Sequence, residues 1–531
     1  MALLLFLWVM GAVTAQQRDY LFGQLVDATQ YEAIPFATIR LKDQTLGVIS
    51  NVDGTFKIPL SFKESGNVLE ISCLGYETLL LEVETLKEDQ PNIITLKANA
   101  LELAEAVVTA KLKRLSAQQI VKFAVNGIPQ NYPQDPFGLV GYYRDYQIKN
   151  KQYNNLNEAL IRVRDGGFGL QDNDGNTYQI FQYNSNRDFD MDKWAKMPYD
   201  YKNKQKIVPH ARLENNSGNE LLTLFAHDAV RNFGKESFSY IDYMPIDFVE
   251  NHGFKLLGQI NYNKESVYQI SFVFNNSSYT ATGDIYIATE DFAIVKLDYL
   301  LYRKNDISVD KAIINPLERY SNGFKRTDGM LLYRIQTEYK RGIKNKMFLN
   351  FISFYNKMLV QRPAAFASKF AVDLSDGSFK IVLNNPPAHM DKIKLRDFRI
   401  KYNNISIPLE EFWYRDDERI FVLCPHFGYQ RTSKILKELF EERNDLLVSG
   451  LTYTYRNIED DFGNKLDERK EEYIHQYREF FVQEATLGPV LITENDQMTK
   501  NLPLDSEDQP ISKNKEGQTY WMNSPLPNLK Q

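Results

Sequence analysis

The residues best suited to metal chemistry lie near the C-terminus: Glu471, Glu472, His475 and Glu479. Read as a helix from Asp467 to Glu484, the segment places Glu472 and His475 at i and i+3, with Glu471 and Glu479 one turn either side. Carboxylate-bridged di-iron bundles use Glu-x-x-His, but they need two copies and two further glutamates. One copy is present, so the segment reads as a solvated charged face. A second candidate, Asp172-Asn173-Asp174-Gly175-Asn176, has the look of a calcium loop. Aligning Gly175 with the glycine of an EF-hand puts Leu170 at the first ligand position and Phe181 at the bidentate one, and neither can ligate. A hairpin turn is expected there, and likewise at Asp460-Asp461-Phe462-Gly463-Asn464.

Nucleophile and phosphate motifs are equally sparse. The sequence holds no Gly-x-Ser-x-Gly elbow, no phosphate-cradling Gly-Lys loop and no dinucleotide fingerprint. His227-Asp228 and His252 stand alone and read as structural or exposed. No catalytic, cofactor-binding or metal-ligating residue is assigned, and no cofactor is expected. Triad members need not be adjacent in sequence, so a hydrolase with dispersed catalytic residues stands as the alternative.

The elements that would position any site are bounded by composition. A chain of 531 residues implies roughly two to four domains. It is 43% apolar and 13% aromatic, enough for sizeable cores and unlike a disordered or repetitive chain. With 63 basic against 69 acidic residues the net charge is −6, which excludes a nucleic-acid footprint spread over the whole chain. Two cysteines, Cys73 and Cys424, rule out a disulfide scaffold or a Cys-rich zinc module, and both read as buried free thiols.

Residues 1–15 read as a secretory signal peptide. Leu3 to Val13 is apolar, and Val13-Thr14-Ala15 supplies small residues for cleavage before Gln16. The run is too short to span a membrane as a helix, and no later segment is long and apolar enough. No cysteine follows it to carry a lipid. The expected location is outside the inner membrane, in the periplasm or at the outer membrane.

Residues 20–97 show period-two alternation broken by turns about ten residues apart, which predicts a β-sandwich. Asp53-Gly54 supplies the tight turn before Thr55-Phe56. Five landmarks come in order: Gly23 to Asp27; Ile34-Pro35-Phe36-Ala37-Thr38-Ile39; Gly47; Asp53-Gly54-Thr55-Phe56; and Ser72 with Gly75-Tyr76-Glu77. Together they resemble the carboxypeptidase regulatory-like domain, a prealbumin-like sandwich that also extends many TonB-dependent outer-membrane receptors. The resemblance implies an accessory sandwich and no peptidase activity. The zinc hydrolase pattern needs His-x-x-Glu, whereas His210 and His475 have Glu four residues on.

Residues 98–134 read as a linker and a helix, opened by the capping box Ser116-Ala117-Gln118-Gln119 and closed at Pro129. Residues 135–360 predict a large antiparallel β region, open or half-barrel, with a helix over Glu220–Phe233 capped by Gly234. Its landmarks, Asn131-Tyr132-Pro133, Gly141-Tyr142-Tyr143-Arg144-Asp145 and Glu158-Ala159, resemble an uncharacterised cell-envelope family of Bacteroidota-type bacteria. The hairpin Gly283-Asp284-Ile285-Tyr286-Ile287 with Ala293-Ile294-Val295 resembles the curved sheet of periplasmic lipoprotein-sorting proteins. That resemblance implies an apolar inner face, lined by Phe272, Phe274 and Ile285. The sequons at Asn215, Asn275, Asn276 and Asn404 mean little in a bacterial setting. Residues 365–490 read as a C-terminal β/α module and 491–531 as a loose tail, with Trp521 packing back as a clasp.

The fold expected is therefore mainly β (all-β to α+β): a prealbumin-like sandwich, a large curved antiparallel sheet with a few helices, and a small C-terminal β-rich module. The function expected is non-enzymatic binding or scaffolding in the envelope. The partner would be a protein, glycan or lipid, without nucleic acid and without a transmembrane helix. A small outer-membrane β-barrel is the further alternative.

Overall fold

The computed structural model describes residues 19–44, 46–99, 115–149, 152–170, 175–192, 195, 206–207, 219–235, 240–263, 265–304, 329–361, 366–373, 375–441, 450–468, 471–512 and 519–525. The signal segment, His210, Asp172 to Asp174 and most of the linker lie outside them. The first strands are β1 (Tyr20–Asp27), β2 (Thr38–Leu41), β3 (Gly47–Ile49), β4 (Thr55–Pro59), β5 (Val68–Ser72), β6 (Leu79–Glu82) and β7 (Asn92–Leu96). Next come β8 (Phe137–Lys149), β9 (Gln152–Asp165), β10 (Thr177–Ser185) and the short β11 (Lys206–Ile207). A second run holds β12 (Gly253–Tyr262), β13 (Glu265–Asn275), β14 (Tyr279–Ala288), β15 (Ile294–Lys304), β16 (Gly329–Arg341) and β17 (Met347–Gln361). The remainder are β18 (Ser368–Asp373), β19 (Ser378–Leu383), β20 (Phe398–Tyr402), β21 (Ile405–Ile407), β22 (Leu409–Arg415), β23 (Ile420–Pro425), β24 (Leu451–Tyr455) and β25 (Glu471–Leu487). The protein is mainly β, with several antiparallel sheets. Contacts divide it into two units. One comprises Met1–Asp192, Val208–Lys357 and His475–Gln531, the other Lys193–Ile207 and Met358–Ile474.

The first unit opens with the sandwich, whose sheets are β4-β1-β7 and β3-β2-β5-β6. Alternate residues point inward, so Leu25, Ile39, Phe56, Ile58, Leu69 and Ile71 form one core. Asp53 closes the turn before β4 by accepting from the Thr55 backbone N–H at 3.1 Å. Gly54 sits at φ +75°, and a Cβ there would lie 2.5 Å from the Leu25 carbonyl oxygen, so only glycine fits.

The large sheet of the first unit follows the order β10-β9-β8-β25-β17-β16-β15-β14-β13-β12. Its edges are β10 and β12, and no pairing joins them among the described residues. One face packs on the sandwich through Phe36, Ile49 and Val52, which meet Tyr146, Phe351, Tyr477 and Phe481. On the other face Phe225 meets Phe480, His227 stacks on Phe354 at 4.2 Å, and Phe248 meets Phe272. The helix Ala117–Asn126 buries Ile120, Val121, Ala124 and Val125, and its capping box forms as expected between Ser116 and Gln119. The π-helical turn Met244–Phe248 buries Met244 and Phe248.

Several expectations are corrected here. Where a helix is expected over 467–484, residues from Glu471 onward form β25, which runs antiparallel to β8. It lies between two neighbours with both faces covered, so its buried charges and aromatics lack a strand's alternation. The helix expected over 220–233 stops at Ala226, because the Asp228 carboxylate accepts from the Val230 and Arg231 N–H groups and starts a separate turn. The apolar inner face is filled: Phe272 and Ile285 are fully buried, and the rings of Phe248, His252 and Tyr299 close on Phe272. Among the described residues the large sheet stays open, and β8 is buried at nearly every position on both faces, so that strand presents no lipid-facing row. Where the sequence reads as a loose tail, Met498 and Ser512 donate from their backbones to the Tyr178 and Ile180 carbonyls of β10, both at 2.8 Å. Trp521 is buried in the sandwich core, edge-on to Phe62.

The second unit carries the sheets β18-β19-β23-β22 and β21-β20-β24, around a core that includes Phe366, Phe379, Phe398 and Phe421. Within it β11 pairs with residues 359 and 360. The helix Gln430–Glu441 adds Ile435 to the core.

Candidate functional site

A cavity of about 550 Å³ opens in the first unit, lined by Tyr20, Phe22, Lys57, the run Asn184 to Phe189, Ser524 and Pro525. That volume is in the range of small-molecule sites. β1 presents Tyr20 and Phe22 two residues apart, on one side of the strand. β4 runs antiparallel to it with Lys57 opposite Phe22. Two contacts hold the Lys57 backbone against the chain's end: its N–H donates to Asn523 Oδ1 at 2.8 Å, and its carbonyl accepts from Trp521 Nε1 at 3.3 Å. The Lys57 ammonium rides 4.6 Å from the centre of the Tyr20 ring. Burial pulls its pKa down, and the charge of Glu158 works against that. Neither Lys57 nor Arg187 forms an ion pair among the described residues.

Beneath the cavity Glu158 is fully buried. Its carboxylate accepts from Tyr142 Oη at 2.5 Å, from Ser524 Oγ at 2.7 and 2.8 Å, and from Asn186 Nδ2 at 3.3 Å. These bonds join the floor of the cavity to the end of β10 and to the terminal segment. Asn186 Oδ1 accepts from the Asp188 N–H at 3.1 Å, shaping the rim. The cavity offers amides, hydroxyls, two cations, one carboxylate and aromatic rings, and its lining contains no histidine or cysteine. Such a surface is suited to a polar molecule. The sequence reading missed it because its lining comes from four separated segments; the only local trace is the polar run Asn184-Ser185-Asn186-Arg187-Asp188.

The residues singled out for chemistry are placed elsewhere. On β25 His475 and Glu479 share a face four residues apart, about 13 Å at the rise of a strand, while the side chains of Glu471 and Glu472 lie outside those described. His475 Nδ1 pairs with Tyr355 Oη at 2.7 Å, and Glu479 binds the Arg144 guanidinium and Tyr146 Oη. Among the described residues no group of three or more His, Cys, Asp or Glu side chains is placed to hold a metal ion. His227 donates from Nδ1 to the Thr223 carbonyl at 2.5 Å, and burial brings its pKa down to about 4. Asp228 accepts from Tyr339 and is pushed up to about 6 by burial. Beside it the bidentate pair Arg231–Asp165 lines a space of about 30 Å³, room for one water. His252 is held among Phe248, Phe254, Phe272 and Phe274, its pKa lowered to about 4 by burial. Asp460 accepts from the Phe462 and Asn464 N–H groups, closing the expected turn. Cys73 and Cys424 are free, and burial raises the Cys73 thiol to about 12.

One further carboxylate pair is unforeseen by sequence. Asp284 and Asp298 lie directly opposite each other on β14 and β15. Arg334 and Gln336 hold Asp298, whereas burial and then the charge of Asp298 push Asp284 up to about 7. Gln269 donates to Asp284 at 3.2 Å.

Residues 21–108 match the family model of the CarboxypepD_reg-like domain, the resemblance carried by the landmarks of β1 to β5. No curated protein matches the chain. Solved structures similar in part include a DUF1329 family protein from Desulfovibrio piger, 11% identical, with 45% of this chain and 85% of that one covered at a TM-score of 0.20. MucB in complex with MucA(peri) is 8% identical, with 60% and 96% covered at a TM-score of 0.14. At these scores neither likeness bears on function. The chain is thus a β protein bearing a CarboxypepD_reg-like domain. Among the described residues no helix is long and apolar enough to cross a membrane.

Proposed function

We propose that this chain is a non-enzymatic binding protein of the bacterial cell envelope, exported across the inner membrane and held in the periplasm or peripherally at the outer membrane. The observation that carries the reading is the cavity. Its lining is rich in polar groups, neither Lys57 nor Arg187 forms an ion pair among the described residues, and its floor is fixed by Glu158. Ser524, its best-placed hydroxyl, is tied to that carboxylate. The signal-like residues 1–15 and the CarboxypepD_reg-like domain support the location. Fractionation of natively expressed protein tests it: alkaline carbonate is expected to release the chain from envelope preparations. Recovery from the cytosol, or retention until detergent is added, overturns it.

The Asp284–Asp298 pair favours a second reading, a hydrolase, because two apposed carboxylates, one of them (Asp284) raised to about 7 by burial and then by its neighbour's charge, are suited to acid–base catalysis. That reading requires a turnover which Asp284→Asn abolishes while leaving the fold intact.

A further inference from the structure

The walls of the cavity are held in different ways. The run Asn184 to Phe189 is fixed to the large sheet. Asn184 and Ser185 pair with Glu158 and Asn157 of β9, the Asn186 N–H donates to the Leu156 carbonyl at 2.9 Å, and the Phe189 ring meets Tyr153. Ser524 and Pro525 belong instead to the terminal segment 519–525. Trp521 of that segment enters the sandwich core, and Met522 packs on Val140, Tyr142, Leu160 and Phe181 of the large sheet. Asn523 donates to the Ile49 carbonyl at 2.7 Å and accepts from the Lys57 N–H at 2.8 Å, so it also positions Lys57 in the cavity. Each hydrogen bond described for Trp521 to Ser524 has a side chain on at least one end. Release of the segment therefore breaks no ladder between strands, and such a local opening costs less than unfolding the sheet. Ser524 Oγ bonds both carboxylate oxygens of Glu158, at 2.7 and 2.8 Å, and Glu158 is fully buried. Lifting the segment strips two residues from the cavity wall and bares a carboxylate at its floor.

We infer that the segment 519–525 is the movable wall of the cavity, docking and leaving as a unit, so that the site is made when it docks and unmade when it leaves. This rests on the reading of the cavity as the binding site and adds its regulation. By reciprocity, a ligand seated against Ser524 holds the segment down, and whatever takes the segment away weakens the hold on the ligand. Carbodiimide labelling of carboxylates in the full chain, read by peptide mass spectrometry, tests it with no ligand present. Asn523→Ala and Met522→Ala each loosen the segment at a side chain with no described hydrogen bond to Glu158. Each is expected to raise the labelling of Glu158 at least tenfold. Glu338, which Asn350 links to Thr38 where the sandwich meets the sheet, is expected to stay as unreactive as in the parent. Amide hydrogen exchange is expected to quicken over 519–525 and to stay unchanged over 184–189. If Glu158 is no more reactive in either variant than in the parent, the segment does not leave as a unit and the inference falls. Labelling of Glu338 together with Glu158 also overturns it, because the sandwich then comes away whole. Faster exchange over 184–189 overturns it too, since the wall on the sheet is then not fixed. These readouts are independent of where the chain resides, so they fail separately from the fractionation.

Discussion

Arg144 and Glu479 are each about 1% exposed at the side chain and bind one another where β8 meets β25. Burial opposes the charge on Arg144 most strongly, but Glu479 together with Tyr146, Tyr142 and Tyr153 outweighs it and holds the guanidinium above its ordinary pKa. The same guanidinium reaches Asn51 of the sandwich and the Asn523 carbonyl of the terminal segment. Removing one partner leaves the other charged and buried, so Glu479→Ala is expected to cost about 3–5 kcal/mol in denaturant unfolding. Arg144→Met with Glu479→Leu should recover most of that loss, and a double variant as unstable as the single would refute a penalty due to unpaired charge. A second prediction concerns pH. His227 and His252, depressed to about 4, refuse protons that the unfolded chain accepts below its ordinary pKa of 6.5, so their contribution to stability falls as pH drops through that window. Asp284, raised to about 7 from 3.8, has the opposite sign: the folded state holds a proton the unfolded state has lost, and stability falls as pH rises from 3.8 to 7. Asp284→Asn removes only the second effect. Its stability relative to the parent should improve between pH 4 and 7, by at most about 1.4 kcal/mol per pH unit. An unchanged difference at pH 5 and pH 8 would count against it.

At the scale of elements, Gly283 explains part of the hairpin whose pattern stands out in the sequence. A Cβ there would lie 1.8 Å from the Asp298 carbonyl oxygen on β15, a backbone atom with nowhere to go. Gly283→Ala is expected to destabilise by about 1–3 kcal/mol, whereas Gly253→Ala, whose Cβ meets Val273 at an ordinary 3.7 Å, should change little. Equal melting shifts for the two would show that the close approach is relieved. The strands of the sandwich were legible because each is half-buried and bounded by turn residues such as Asp53-Gly54. The helix Ala117–Asn126 was legible through its cap. β25 was misread because Arg478, Glu479 and His475 look solvated in sequence, and only their partners Asp145, Arg144 and Tyr355 reveal them as interior. The cavity was illegible for a different reason. Lys57 and Asn186 become neighbours through tertiary packing, and nothing in either segment announces the other.

At the scale of the whole molecule, the terminal segment acts as a strap on the sandwich. Asn523 Nδ2 donates to the Ile49 carbonyl at 2.7 Å, Gln483 Nε2 donates to the Trp521 carbonyl at 2.7 Å, and the Trp521 ring completes the sandwich core. Trp521→Ala is expected to cost about 3–5 kcal/mol and to expose the sandwich to limited proteolysis before the large sheet. Simultaneous cleavage of both would show that they unfold as one. The strand order carries a consequence for how the chain is made. β25 sits between β8 and β17, yet it contacts partners such as Arg144 across 335 residues of sequence. During synthesis β8 and β17 emerge first, each with an unpaired edge ready to join another strand. The strand that unites the halves is delivered last, and pairings of such long range form slowly. Both edges therefore stay open until residue 487 has arrived. A chain that ends before Glu471 is left with two separate sheets and two sticky edges, not with a smaller copy of the same fold.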